Sequence, residues 1–166
     1  MLEYDWSKFK LRITIKADMA SVYKLWTTRQ GLEKWFLRQA EFRNSNQELR
    51  HRTEFIHAGD EYEWLWHGYS DDVKENGKVI SANGRDKFQF TFTANCLVTV
   101  SIYLERDEMI CELAQTYIPT DEISKQELHI GCMMGWNFYL TNLKSILEKG
   151  KDLRNKNERI SDLINA

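Results

Sequence analysis

Residues 124–150 read SKQELHIGCMMGWNFYLTNLKSILEKG, and the reading of this stretch decides the fold. Leu128, Cys132, Trp136, Tyr139, Leu143 and Ile146 recur at intervals of three and four. That spacing places them on one apolar stripe of an amphipathic helix. Ser124 and Glu127 stand in S-x-x-E form, which predicts a capping box at the helix start. Gly150 suits the stop. The spacing thus predicts one long helix ending near Lys149. Gly131 and Gly135 lie one turn apart on its stripe. Glycine inside a helix costs about 1 kcal/mol against alanine. The pair implies either close packing of another element or space left open.

Upstream the period changes from helical to alternating. Lys10 to Ala17 puts Leu11, Ile13 and Ile15 on one face of a strand. Asp18 then suits an N-cap for a short helix over 19–28, with Val22, Leu25 and Trp26 inward. Gly31 breaks the chain before a second helical turn, Leu32 to Phe36. Ala40 to Arg43 reads as a strand, and 44–52 as a polar loop or helical turn. In EYEWLWHGY, residues 61–69, Tyr62, Trp64 and Trp66 alternate with polar neighbours. Asn76-Gly77 and Asn83-Gly84 are hairpin signals. They flank a strand over 78–82 and lead to another over 87–93, carrying Phe88, Phe90 and Phe92. Two more strands follow, 96–104 with Val98, Val100 and Ile102 inward and 109–117 with Cys111, Leu113 and Gln115 aligned, joined by a turn at Asp107-Glu108.

Hairpin connections predict an antiparallel sheet, which needs one face covered. The long helix is the only element able to cover it. The fold class is α+β: a curved antiparallel sheet wrapped around a long C-terminal helix, with two short helices after the first strand. Residues 1–152 form a single domain, and 153–166 a charged tail, partly helical over 158–164 and frayed.

The composition excludes several functions. The chain has 166 residues and net charge −2, too little basic excess for a general nucleic-acid binder. Three widely spaced cysteines, Cys96, Cys111 and Cys132, suit reduced thiols rather than a disulfide framework. The N-terminus lacks a signal-peptide pattern, and no apolar run reaches the ~20 residues that span a bilayer. The expected location is cytoplasmic, without stable membrane insertion, as a monomer or weak dimer.

The ordered set of motifs resembles the START-like, helix-grip (Bet v 1-like) superfamily, and within it the activators of heat-shock-protein-90 ATPase and their homologues. The resemblance rests on Ile13-x-Ile15-x-Ala17, Val22-Tyr23-x-x-Trp26-Thr27, Gly31-Leu32-x-x-Trp35-Phe36 and Gly77-Lys78-Val79-Ile80. It rests most on Gly135-Trp136-x-x-Tyr139-Leu140-x-x-Leu143-Lys144-x-x-Leu147-Glu148-x-Gly150. Asp18-Met19 stand where the family often has proline, and its Gly-Gly segment is absent from the polar region 42–57. The resemblance implies an internal apolar cavity between sheet and helix.

Candidate ligand-binding residues are Tyr62, Trp64, Trp66, Phe88, Phe90, Phe92, Val100 and Leu113 from the sheet, and Cys132, Trp136 and Tyr139 from the helix. The same rings could instead pack as solid core, with Gln115 or Thr99 receiving an indole N–H. The leading functional expectation is binding of a small apolar ligand, such as a lipid, sterol or polyketide-like molecule. The alternatives are a chaperone-linked interaction protein, as the resemblance implies, and a cyclase-like enzyme. No catalytic group, cofactor or metal site stands out. No HExxH or paired-histidine spacing exists. His67 reads as a surface residue, His129 as a rim residue, and Glu112 as facing solvent, while His51 and His57 lie in the polar region. Cys111 and Cys132 read as packing. Lys149, Lys151, Arg154 and Lys156 read as a solvated helix exit.

Overall fold

The computed structural model describes residues 3–164. The sheet has seven strands: β1 Phe9–Thr14, β2 Gln39–Arg43, β3 Glu61–Leu65, β4 Lys74–Ala82, β5 Lys87–Phe92, β6 Cys96–Glu105 and β7 Glu108–Thr116. Their order across the sheet is β1-β7-β6-β5-β4-β3-β2, antiparallel throughout. Helices α1 (Met19–Thr27) and α2 (Arg29–Trp35) follow β1. A short turn α3 (Glu122–Ser124) leads through a π-helical stretch, Lys125–Gly131, into α4 (Cys132–Leu147). This is the α+β helix-grip architecture.

Alternation explains the sheet. Val98, Val100 and Ile102 of β6 are buried while their neighbours are partly exposed. Cys111, Leu113 and Gln115 of β7 lie on that same inner face. In α1, Asp18 accepts from the Ser21 amide at 2.8 Å, the expected N-cap. Gly31 does not break the chain. It sits within α2, where a Cβ would stand 2.5 Å from the Lys24 carbonyl, so the bare residue lets α1 and α2 touch.

Three expectations about the strands and their turns are corrected, and one holds. Asn76-Gly77 is not a turn: both residues lie inside β4, opposite Glu63 and Tyr62. Gly77 is needed there for close approach rather than for a turn. The aromatic strand accordingly stops at Leu65, and residues 66–73 form the connection. Asn83-Gly84 does turn the chain, with the Asn83 side chain accepting amides of Arg85, Asp86 and Lys87 at 3.0 Å. The β6–β7 turn falls at Arg106-Asp107, both with positive φ, one residue earlier than read.

At the start of the C-terminal helical run, Asp121 and not Ser124 is the cap, accepting the Ser124 amide at 3.0 Å. Ser124 is already helical. Residues 158–164 form no helix.

The tail is not simply solvated. Arg154 is buried, and its guanidinium donates to the carbonyls of Leu37 (3.0 Å), Glu33 (3.1 Å) and Lys34 (2.9 Å). It thus caps the exit of α2, whose last carbonyls lack helical partners. Asn142 of α4, fully buried, donates to the Trp35 carbonyl at 2.7 Å and accepts the Leu153 amide at 2.8 Å. The polar region before β3 is also tied down. Arg50 makes a two-pronged pair with buried Asp60, at 2.5 and 2.8 Å.

Candidate functional site

The inner face of the sheet carries a continuous aromatic cluster. Tyr62 stacks on Trp64 with centroids 3.9 Å apart. Trp64 meets Phe90 edge-on, and Phe88 stacks on Phe90. Phe36, at the end of α2, joins this cluster to α4: its ring lies 5.1 Å from Trp136 and 4.8 Å from Tyr139. The Trp136 indole donates to Oε1 of Gln115, wholly buried on β7, at 3.0 Å.

Six of the candidate residues, Tyr62, Trp64, Phe88, Phe90, Val100 and Leu113, are at most 3% exposed and belong to the solid core. The other five, Trp66, Phe92, Cys132, Trp136 and Tyr139, come together around a cavity of about 500 Å³. It lies between the sheet and the start of α4. Phe36, Thr93 and Glu75 complete its wall, and exposed Tyr69, Val73 and Glu127 form its open edge.

Gly131 and Gly135 line the helical side. A Cβ on Gly135 would meet nothing within 4 Å, and one on Gly131 only its own helix's Gln126 carbonyl at 3.5 Å. Of the two readings the glycines allowed, the structure therefore has space. The π-helical stretch ends at Gly131, and such irregular turns concentrate at functional sites.

Glu75 is the residue that sequence reading missed. A hairpin at Asn76-Gly77 would have put it in a turn. In β4, Glu75 shares the inner face with Gly77 and Val79, directly opposite Trp64. It lines the cavity beside Phe92 and Cys132, as the inward direction requires. Among the described residues it has no hydrogen-bond or ion-pair partner, and burial alone pushes its carboxyl above the usual range. Burial also pushes the Cys132 thiol up to about 11. Cys132 is thus a poor nucleophile at neutral pH.

The remaining titratable candidates fall elsewhere. His129 is not on a rim: it is fully buried beneath the N-terminal segment. Its Nδ1 lies 2.8 Å from the Trp6 carbonyl and its Nε2 2.8 Å from the Tyr4 hydroxyl. A carbonyl only accepts, so Nδ1 carries the proton and, in the neutral ring, Nε2 accepts from Tyr4. His67 is half-buried, and desolvation with Arg154 and Lys156 nearby lowers its pKa. Glu112 is only partly exposed and is held by Tyr103, Lys10 and Arg12 on the outer side of the sheet. Among the described residues no group of His, Cys, Asp and Glu could hold a metal, and no helix is long and apolar enough to cross a membrane.

Comparison with known proteins agrees with this architecture. A sequence model of the family described as activator of Hsp90 ATPase homolog 1-like protein matches residues 16–148. No curated protein matches. Protein SSP2350 from Staphylococcus saprophyticus superposes with a TM-score of 0.68 at 15% identity, covering 89% of this chain and 96% of that one. The Aha1 dimer from Colwellia psychrerythraea gives 0.65 at 16% identity, covering 87% and 98%. DynU16, from the dynemicin biosynthetic locus, gives 0.65 at 15% identity, covering 90% of this chain and 50% of that one. Identities this low carry the fold alone.

Proposed function

We propose that this chain, which belongs to the family of activator of Hsp90 ATPase homolog 1-like proteins, binds a small apolar molecule in the cavity between its sheet and α4. The observation that carries the reading is the bare helical wall. Two glycines face the cavity, and at Gly135 no protein atom approaches closely enough to require the missing side chain. A helix that leaves out side chains where nothing would touch them accepts the propensity cost of about 1 kcal/mol per glycine without a packing return. Room for a guest supplies the return. The volume lies in the usual range for small-molecule sites, and the lining is mostly apolar and rich in aromatic rings.

Trp66 and Trp136 on the wall make the test direct. Neutral apolar molecules (a sterol, a flavonoid, an aryl alcohol) are titrated while tryptophan emission is followed, and freshly purified protein is weighed by native mass spectrometry. Quenching or a spectral shift is expected, together with its loss in Gly135→Leu, whose side chain fills the cavity. No emission change across the panel, no carried molecule and no effect of Gly135→Leu would overturn the proposal.

A further inference from the structure

The charge of the cavity is one-sided. Among the described residues that line it there are two carboxylates, Glu75 in the wall and Glu127 at the edge, and no lysine, arginine or histidine. Six aromatic rings surround the same space: Phe36, Trp66, Tyr69, Phe92, Trp136 and Tyr139. Aromatic faces are the negative side of the ring quadrupole. Both features favour a positive guest and penalise a negative one.

We infer that the cavity selects an apolar molecule bearing an organic cation, an amine or quaternary ammonium group, seated against Glu75 and the rings of Trp66, Phe92 and Trp136. The inference rests on the cavity being a ligand site. Its geometry is specific to β4. Glu75 stands opposite Trp64 on the inner face, whereas Lys74, Asn76 and Lys78 are exposed on the other side. Across the whole face that β4 shares with its neighbours, Glu75 is the one carboxylate that lines the cavity wall, and no described side chain pairs with it.

A carboxylate left in a partly desolvated aromatic wall is costly without a partner. Elsewhere this chain pairs its enclosed acids: Asp60 with Arg50, and Asp152 with Arg154. The unpaired Glu75 is the exception, and it faces the cavity. A cation entering there gains a carboxylate in a low-dielectric setting together with several ring faces. A fatty acid or phosphate would instead bring a second negative charge towards Glu75.

The test uses three probes with one shared phenylbutyl body: 4-phenylbutyltrimethylammonium, neutral 4-phenylbutanol and anionic 4-phenylbutyrate. Each is titrated calorimetrically and by tryptophan emission into wild-type protein, Glu75→Gln and Glu127→Gln. The cation is expected to bind roughly tenfold tighter than the alcohol, and the anion weakest. Glu75→Gln should erase the cation's advantage over the alcohol. Glu127→Gln, at the exposed edge, should cost less and only at low salt. If the alcohol binds but the cation binds no better, the cation inference fails and the apolar site stands. If no probe binds wild-type protein, the cation inference fails, and the neutral panel with native mass spectrometry decides the apolar site. The order of the three probes on wild-type protein decides the inference even if a variant folds poorly.

Discussion

The ring of Tyr62 lies directly across the backbone of Gly77, and its hydroxyl donates to the Thr91 carbonyl at 2.6 Å. A Cβ at position 77 would stand 2.5 Å from the phenol's outer atoms. Those atoms cannot swing away, because the ring is buried, stacked on Trp64 and hydrogen-bonded beyond β4. Gly77→Ala should therefore destabilise by about 1–3 kcal/mol. Urea unfolding measures it, and an unchanged midpoint would show that Tyr62 can move.

Gly135→Ala should have the opposite sign. The added methyl meets no neighbour, and helix propensity favours alanine, so stability should rise by about 0.4–1 kcal/mol. The same substitution thus separates a glycine required for close approach from one that leaves space. Thermal unfolding of the two variants side by side checks the contrast.

His129→Ala should loosen the N-terminal segment. The imidazole is wholly buried, bridges Tyr4 and Trp6, and lies edge-on to Phe9 at 5.4 Å. Losing it leaves a cavity and an unpaired Trp6 carbonyl, with an expected cost of about 2–4 kcal/mol. Hydrogen exchange should rise first at residues 4–9, and protection unchanged there would contradict the role.

Asp152 sets part of the acid limit. Burial pushes its carboxyl up, but hydrogen bonds from Arg154 and Lys156 outweigh this and hold it well below its ordinary 3.8. A depressed carboxyl stabilises the fold above the unfolded value, and this contribution is lost as pH falls towards the folded value. Below about pH 4, wild-type stability should fall more steeply than that of Asp152→Asn. Arg154→Ala, which also strips the α2 carbonyls of their donor, should cost about 2–4 kcal/mol at neutral pH.

The thiols should be slow to alkylate. Burial raises Cys111 to about 12 and Cys132 to about 11. At pH 8 that leaves roughly a thousandth of Cys132 as thiolate. Iodoacetamide labelling of folded protein should be far slower than of a denatured control, with Cys132, only partly buried, modified before Cys111.

Periodicity carried most of the fold. The three- and four-residue stripe from Leu128 to Ile146 and the alternation in β1, β5, β6 and β7 need only side-chain direction to be legible. Asp18 was legible as a cap because capping is local. Asn76-Gly77 misled for the complementary reason. Its dipeptide preference is that of a turn, and the reason for a glycine in mid-strand is a ring contributed from another strand, fourteen to fifteen residues earlier. That misreading hid Glu75, since a residue in a turn has no inner face.

The aromatic stripes also show where local reading ends. Alternation assigns Tyr62, Trp64 and Trp66 to one side of a strand, but not which of them is packed solid and which borders open space. Position along the curved sheet relative to α2 and α4 decides that: Trp64 packs against both Phe36 and Phe90, whereas Trp66, which also meets Phe36, lies past the end of β3, on the cavity wall.

The amino-acid sequence alone determined the kinds of element, their order and the antiparallel sheet closed by a terminal helix, because periodicity and hairpin chemistry act between near neighbours. Only the tertiary structure decided which rings fill the core, that Gly135 faces empty space, that His129 and Arg154 are buried, and that Glu75 looks inward without a partner. Each of these depends on atoms brought together from distant parts of the chain, where desolvation and close contact are set by packing rather than by spacing along it.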